Sequence, residues 1–393
     1  MSMVANLQYG WTLFVDPIND KFHWGRPAIQ VAFSIFVLVE TWLVPAEGYL
    51  VDRFGPKLVG VGSGILVAVA WAVNSVAASL PMLYLGAVLG GIGVGGVYGA
   101  TVGNALKWFP DRRGLAAGIT AMGFGAGSAF TVVPIANMIR EQGYEATFLK
   151  FGLIQGLVVF IVGWFLKAPD ASFKVPAKAK PVAQARDHTP MEMARTPAFW
   201  VMFLMFVLTA TFGLIVTAQL TAMAKDFQVA ELPATLFGLT LAALPFALSI
   251  SRIFNGVSRP FFGWVSDQIG RERTMFAAFL FEAVAILLLA QYGHNPTAFV
   301  VFSALVFFGY GEIYSLFPAA CGDTYGRKFA SANAGLLYCA KGAASLLVPL
   351  SGVIAATRGW SAVFYVGAAM NVVAEVLALA VLNRLRDKPE AAR

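Results

Sequence analysis

Three cations stand where an apolar chain has little reason to keep them. Arg252 and Arg259 lie in one long apolar stretch, and Lys341 sits near the middle of another. Seven residues separate the two arginines, so on a helix they share a face, roughly 10 Å apart along the axis. Ionisable groups at such depth are costly and face a cavity or a partner. Arginine offers a planar fork matched to a carboxylate and lysine a compact charge, so an arginine with Lys341 reads as a receptor for a small organic acid. Two cations on one cavity suit a dianion, or two monoanions in turn. Hydropathy alone favours Arg252 as the central arginine. The competing reading is internal ion pairing, because Glu40, Glu47, Glu282, Glu312 and Glu375 also lie in apolar stretches. On that reading Arg252 pairs with Glu312. Glu312 or Glu40 is then the carboxyl that could carry a proton. Tyr338 precedes Lys341 by three and so shares its helix face.

The elements that must hold these groups are membrane spans. Of 393 residues, 58% are hydrophobic and 12% charged, whereas soluble domains carry roughly 25% charged residues. Lipid must be the solvent of such a chain. A spanning helix needs about 20 mostly apolar residues. Such runs fall at about 1–18, 28–50, 58–79, 82–106, 114–138, 146–167, 198–223, 236–265, 274–292, 296–319, 330–357 and 360–383. The polar break at 168–197, with its string AKAKPVAQAR, reads as a solvated linker. The expected architecture is an all-α membrane protein of twelve helices in two pseudo-symmetric six-helix bundles, residues 1–167 and 198–383, with a tail at 384–393. Of the 28 lysines and arginines, the odd-numbered connections hold only Lys21, Arg26, Arg140, Lys150, Lys225 and Arg358. Most of the others lie in the even-numbered connections, the linker and the tail, which places linker and C-terminus in the cytoplasm. This distribution makes the net charge of +7 a topology signal rather than a sign of a nucleic-acid partner. The first run starts at Met1 with no basic region before it and no cleavage pattern after it. It is not a secretory signal and is expected to continue upstream.

An internal repeat supports the two-bundle plan. The string GYLVDRFGPK at Gly48–Lys57 recurs as GWVSDQIGRER at Gly263–Arg273, with Gly48, Asp52 and Gly55 matching Gly263, Asp267 and Gly270 at one constant offset. Parallel six-helix repeats are a known plan of secondary transporters. Glycine permits close helix approach and a tight turn. The aspartate is expected to pair with Arg53 or Arg271, or with a helix N-terminus. The motif reads as part of a cytoplasmic gate and carries no substrate information.

With this motif pair, the linker and the twelve runs on the page, the chain resembles the major facilitator superfamily. More narrowly it is similar to the bacterial oxalate/formate antiporter branch, through QYGWTL at Gln8–Leu13, KWFPDRRGLA at Lys107–Ala116, NGVSRPFFGWVSD at Asn255–Asp267 and CAKGAAS at Cys339–Ser345. The resemblance implies a carrier of small carboxylates in the bacterial inner membrane, working as a monomer. It also implies that Arg259, in the arginine-proline-phenylalanine motif, and Lys341 are the substrate-binding pair. Gln8, Tyr9, Tyr98, Tyr310 and Tyr314 match branch positions, and with Tyr338 they are expected to complete the pocket. The chain departs from the branch at Tyr310 and Tyr338, where the branch has tryptophan, at Phe124, where it has tyrosine, and at Glu312, where it has a small residue. More hydroxyls and an extra acid suit a larger or singly charged acid.

Other chemistry finds little footing. Three histidines and two cysteines offer no ligand set or disulfide framework, so neither metal nor cofactor is expected. The run GGIGVGG at Gly90–Gly96 lies in an apolar span without a preceding strand. It reads as helix packing and not as a dinucleotide loop. No P-loop, nucleophile elbow or HExxH pattern occurs, so neither an ATP-driven pump nor an enzyme is expected. The function expected is exchange of carboxylates by alternating access. Proton-coupled monocarboxylate symport is the alternative, and a membrane sensor that kept the fold but not transport is a weaker one.

Overall fold

The computed structural model describes residues 1–170 and 186–386, so the middle of the expected linker and the last residues of the tail lie outside the described residues. In chain order the helices are α1 (Ala5–Tyr9), α2 (Thr12–Phe22), α3 (Arg26–Trp42), α4 (Val44–Phe54), α5 (Pro56–Ser75), α6 (Leu80–Tyr98), α7 (Asn104–Trp108), α8 (Arg113–Ala126), α9 (Val132–Gly163) and α10 (Pro190–Ala194). Then come α11 (Pro197–Asp226), a hairpin of β1 (Pro233–Leu236) and β2 (Leu239–Ala242), and α12 (Ala243–Ile269). The chain continues through α13 (Arg271–Tyr292), α14 (Pro296–Tyr310), α15 (Ile313–Tyr325), α16 (Ala330–Ser345), α17 (Val348–Arg358), α18 (Trp360–Leu377) and α19 (Asn383–Arg386).

Proline and glycine punctuate this order. Proline opens α4, α5, α6, α11 and α14 at the first or second position, where its missing N–H costs nothing. Gly55 and Gly270 take φ of +87° and +98° between α4 and α5 and between α12 and α13, in matching places of the repeat. Both adopt backbone conformations that side chains disfavour.

Nine helices among the described residues are long and apolar enough to cross a membrane. Three of the twelve expected runs are not among them. The first is broken into the short turn Ser2–Val4, α1 and α2, and the fifth is interrupted between Ala126 and Val132. The eighth is helical over 27 residues as α12, but Arg252, Arg259 and Asp267 make it too polar. Its expected start at about 236 is also corrected, because residues 233–242 form an antiparallel hairpin with Leu236 opposite Leu239. Phe237 and Gly238 turn at φ of +53° and +78°, the geometry of a two-residue hairpin loop.

The described chain packs as two compact units. One holds Met1–Arg113, Gly127–Pro190 and Cys321–Gly342, and the other Gly114–Ala126, Met191–Ala320 and Ala343–Arg393. The units cut across the expected segments 1–167 and 198–383, since most of α16 lies with the N-terminal helices and most of α8 with the C-terminal ones. In the first unit, Phe14 stacks on Phe148 at 3.9 Å between ring centroids while Trp71 meets both edge-on. Gly64 and Gly156 bring α5 and α9 so close that a Cβ on either would meet backbone atoms, the small-residue packing of helices in lipid. In the second unit Phe317 stacks on Phe206 at 4.7 Å and on Phe279 at 6.3 Å.

Candidate functional site

Lys341 lies on α16 in the first unit with no exposed surface. Its amine donates to both carboxylate oxygens of Glu40 at 3.0 Å, to Gln8 Oε1 at 3.1 Å and to the Tyr338 hydroxyl at 2.9 Å. The Tyr338 hydroxyl in turn donates to Glu40 Oε1 at 3.2 Å. Glu40 is buried near the C-terminal end of α3, and Gln8 comes from α1. The Tyr338 ring stacks on Tyr98 with centroids 4.1 Å apart and planes 11° from parallel. Tyr98 ends α6 just before a π-helical stretch at Gly99–Gly103, an irregularity frequent at functional sites. Tyr9 is buried beside Gln8. The Nε2 of Gln8 has no hydrogen-bond partner, so a donor remains unused next to the buried cation. Burying a charge is tolerable when it is paired and hydrogen-bonded, and Glu40 meets that requirement.

Arg259, on α12 in the second unit, is also fully buried. Its surroundings differ in kind. Nη1 donates to the Ala121 carbonyl and Nη2 to Asn255 Oδ1, each at 2.8 Å, and Nε has no partner. The guanidinium lies 4.0 Å from the centroid of Tyr314, whose hydroxyl is 2.6 Å from that of Tyr310. All these partners are neutral, so the guanidinium has cation–π and dipolar support but no anion among the described residues. Asn255 is held by its own bond to the Phe307 carbonyl at 3.3 Å. Glycines set the approach of α8 to α12: a Cβ on Gly118 or Gly263 would collide with the facing backbone.

The ion pair expected between Arg252 and Glu312 does not form. Both Glu312 oxygens are buried without a hydrogen bond, and Arg252 lies over the Phe307 ring at 5.0 Å. Glu282 and Glu47 are likewise buried with neither oxygen bonded.

The repeated motif has the same geometry in both copies. Asp52 accepts from Ser331 N at 3.4 Å and Ala332 N at 2.9 Å at the start of α16. Asp267 accepts from Gly114 N at 3.0 Å and Leu115 N at 2.9 Å at the start of α8. Each carboxylate thus takes the second and third free N–H groups of a helix, where the dipole favours negative charge. Of the two expected cation partners, Arg271 pairs with Asp267 at 2.6 Å, whereas Arg53 is exposed and bonds Tyr49. The cation on Asp52 is Lys107, at 2.5 Å. Lys107 stands in one of the motifs that carry the resemblance, but no spacing rule links it to Asp52. A second group not foreseen joins the end of the linker to the loop before α16. Asp187 accepts from the backbone of Arg327 at 2.7 Å and Lys328 at 3.0 Å, and the His188 carbonyl accepts from Asn333 Nδ2. Burial, and then the neighbouring Arg113, pull the Arg327 guanidinium below its ordinary range, while Asp187 acts the other way.

A family model described as Major Facilitator Superfamily matches residues 2–256 and 216–393. The chain belongs to the Major Facilitator Superfamily. This major facilitator chain is therefore a multi-pass membrane transporter and not an enzyme. It is 34% identical over 387 residues to the oxalate:formate antiporter of Oxalobacter formigenes, covering 98% of this chain and 90% of that one. It is 26% identical over 374 residues to monocarboxylate transporter 12 of Xenopus laevis, covering 88% and 79%. Among solved structures, the human organic anion transporter MFSD10 (TETRAN) superposes with a TM-score of 0.65 over 96% of this chain and 94% of that one, at 16% identity. That last likeness concerns the fold.

Proposed function

We propose that this chain is a secondary transporter exchanging small carboxylate anions across a bacterial inner membrane by alternating access, with linker and C-terminus in the cytoplasm. The named relative with 34% identity, an oxalate:formate antiporter, supports the substrate class. The observation that carries the reading is chemical. Lys341 is paired with Glu40, the arrangement that the ion-pairing alternative expected, with a tyrosine hydroxyl on the same carboxylate and an unused amide donor beside it. Arg259 is a buried cation whose hydrogen-bond partners are all neutral. We assign Arg259 and Lys341 as the anion-binding cations, with Gln8, Tyr9, Tyr98, Tyr310, Tyr314 and Tyr338 shaping their surroundings. An anion bound at Arg259 relieves an uncompensated buried charge, so the loaded carrier reorients more readily than the empty one, which favours exchange.

The test is counterflow of labelled oxalate or formate in proteoliposomes. Arg259→Gln and Lys341→Gln should each lower exchange at least about tenfold, the worth of a hydrogen bond to a charged group. Full exchange by either variant removes that residue from the site. Proton-coupled symport is favoured by one specific observation, the pairing of Lys341 with Glu40.

A further inference from the structure

We infer that Glu40 is a built-in counterion occupying the substrate carboxylate's place on Lys341, so that anion binding at this lysine takes up one proton, on Glu40. The inference rests on the reading of Lys341 as a carboxylate-binding residue and goes beyond it, because it adds a co-substrate.

The contacts of Glu40 are those a bound organic acid would make. Both its oxygens lie 3.0 Å from the ammonium, and Oε1 also accepts from Tyr338. Lys341, Glu40, Tyr338 and Gln8 expose at most 2% of their surface, so water cannot supply a replacement ion pair. One ammonium and one carboxylate leave this site neutral. Adding a second carboxylate would leave a buried net negative charge, which a dry interior disfavours strongly. The surroundings offer no compensating cation among the described residues. Glu47, on α4, is a further buried carboxyl with neither oxygen hydrogen-bonded. It adjoins Glu40, because a Cβ on Gly95 would touch Glu47 Oε2 at 2.5 Å and the Glu40 carbonyl at 2.7 Å. Among the described residues the other titratable groups here are Tyr98 on α6, stacked on Tyr338, Tyr9 beside Gln8 on α1, and Cys339 on α16, whose thiol lies 3.5 Å from the Thr41 carbonyl. None of these brings a second positive charge.

A proton resolves the balance. The incoming carboxylate pairs with the Lys341 ammonium, and the proton taken from solution bonds to a carboxylate oxygen of Glu40. Glu40 becomes a neutral acid able to donate a hydrogen bond. The Lys341 site is then neutral both empty and loaded. Lys341 therefore adds no unpaired charge to the empty form, which leaves Arg259 as the cation that favours exchange, and each monocarboxylate bound at this lysine carries a proton with it. A glutamine at position 40 would uncouple anion binding at this site from the proton.

The experiment is calorimetric titration of the purified full-length protein with formate and with oxalate, in buffers of different ionisation enthalpy, which counts protons taken up per anion. Wild type saturated with formate should take up about one proton in total, and its affinity should fall as the pH is raised. Glu40→Gln should bind formate with no proton uptake and a flat pH profile. Saturation of wild type with formate without proton uptake overturns the inference and leaves the carboxylate reading standing. Absence of binding of either anion overturns the carboxylate reading, and the inference with it. Should Glu40→Gln fail to fold, the proton count on wild type decides alone.

Discussion

At the scale of single residues, two buried cations have been handled in opposite ways. Lys341 is matched by a carboxylate, while Arg259 relies on a carbonyl, an amide oxygen and an aromatic face. The difference can be reversed by one atom. Asn255 Oδ1 sits 2.8 Å from Arg259 Nη2, so Asn255→Asp places a carboxylate on the guanidinium without changing shape. This variant should keep the wild-type thermal midpoint and lose at least about tenfold in anion affinity, read by calorimetry, as expected of a charge-assisted bond. Unchanged affinity would show that Arg259 does not hold the anion. Glu312 and Glu282 make the complementary case, since their buried oxygens bond nothing. Glu312→Gln preserves volume and breaks no hydrogen bond. Its melting midpoint should stay within about 3 °C of wild type, a shift that roughly 1 kcal/mol produces in a domain of this size. A larger fall would reveal a partner for that carboxyl in the membrane.

At the scale of elements, the repeated motif is a device for joining helices distant in sequence. Gly48 has Ser331 O and Ala332 N within 2.8 Å of where a Cβ would be, so only glycine lets α4 approach closely enough for Asp52 to cap α16. The obstructing atoms are backbone and cannot swing aside. Gly48→Ala should therefore cost about 1–3 kcal/mol, the usual range for overpacking, and should lower the thermal midpoint in detergent. Asp52→Ala removes the cap and the Lys107 pairing but introduces no clash, and should cost about 0.5–2 kcal/mol. Gly213 shows the same logic beside the arginine, because a Cβ there would run into the ring of Tyr310.

At the scale of the whole molecule, each compact unit mixes the two sequence halves: most of α16 packs among N-terminal helices and most of α8 among C-terminal ones. Alternating access, as proposed above, requires contacts between halves to open during each cycle. Asp52 bonds the backbone of Ser331 and Ala332 on α16, which makes Asp52→Cys with Ser331→Cys a suitable cross-link in a background carrying Cys321→Ser and Cys339→Ser. Oxidation should abolish counterflow and reductant should restore it. Exchange at full rate in the oxidised, cross-linked protein would sink rocking of the halves as the transport step.

Much of this was legible in the residues themselves. Charge poverty and long apolar runs determined a multi-pass helical protein, because no soluble surface can be built from 12% charged residues. The repeat at Asp52 and Asp267 announced matching elements, and charge in apolar sequence marked Arg252, Arg259, Lys341 and five glutamates, since such residues persist only with a role or a partner; only the family resemblance chose Arg259 over Arg252. Which cation received which partner was decided by tertiary structure alone. Glu40 and Lys341 are 301 positions apart, and Asp52 found Lys107 and not its neighbour Arg53 because the helix face turns Arg53 to the surface. Local periodicity says which side chains share a face, but only the packing of distant helices says what that face meets.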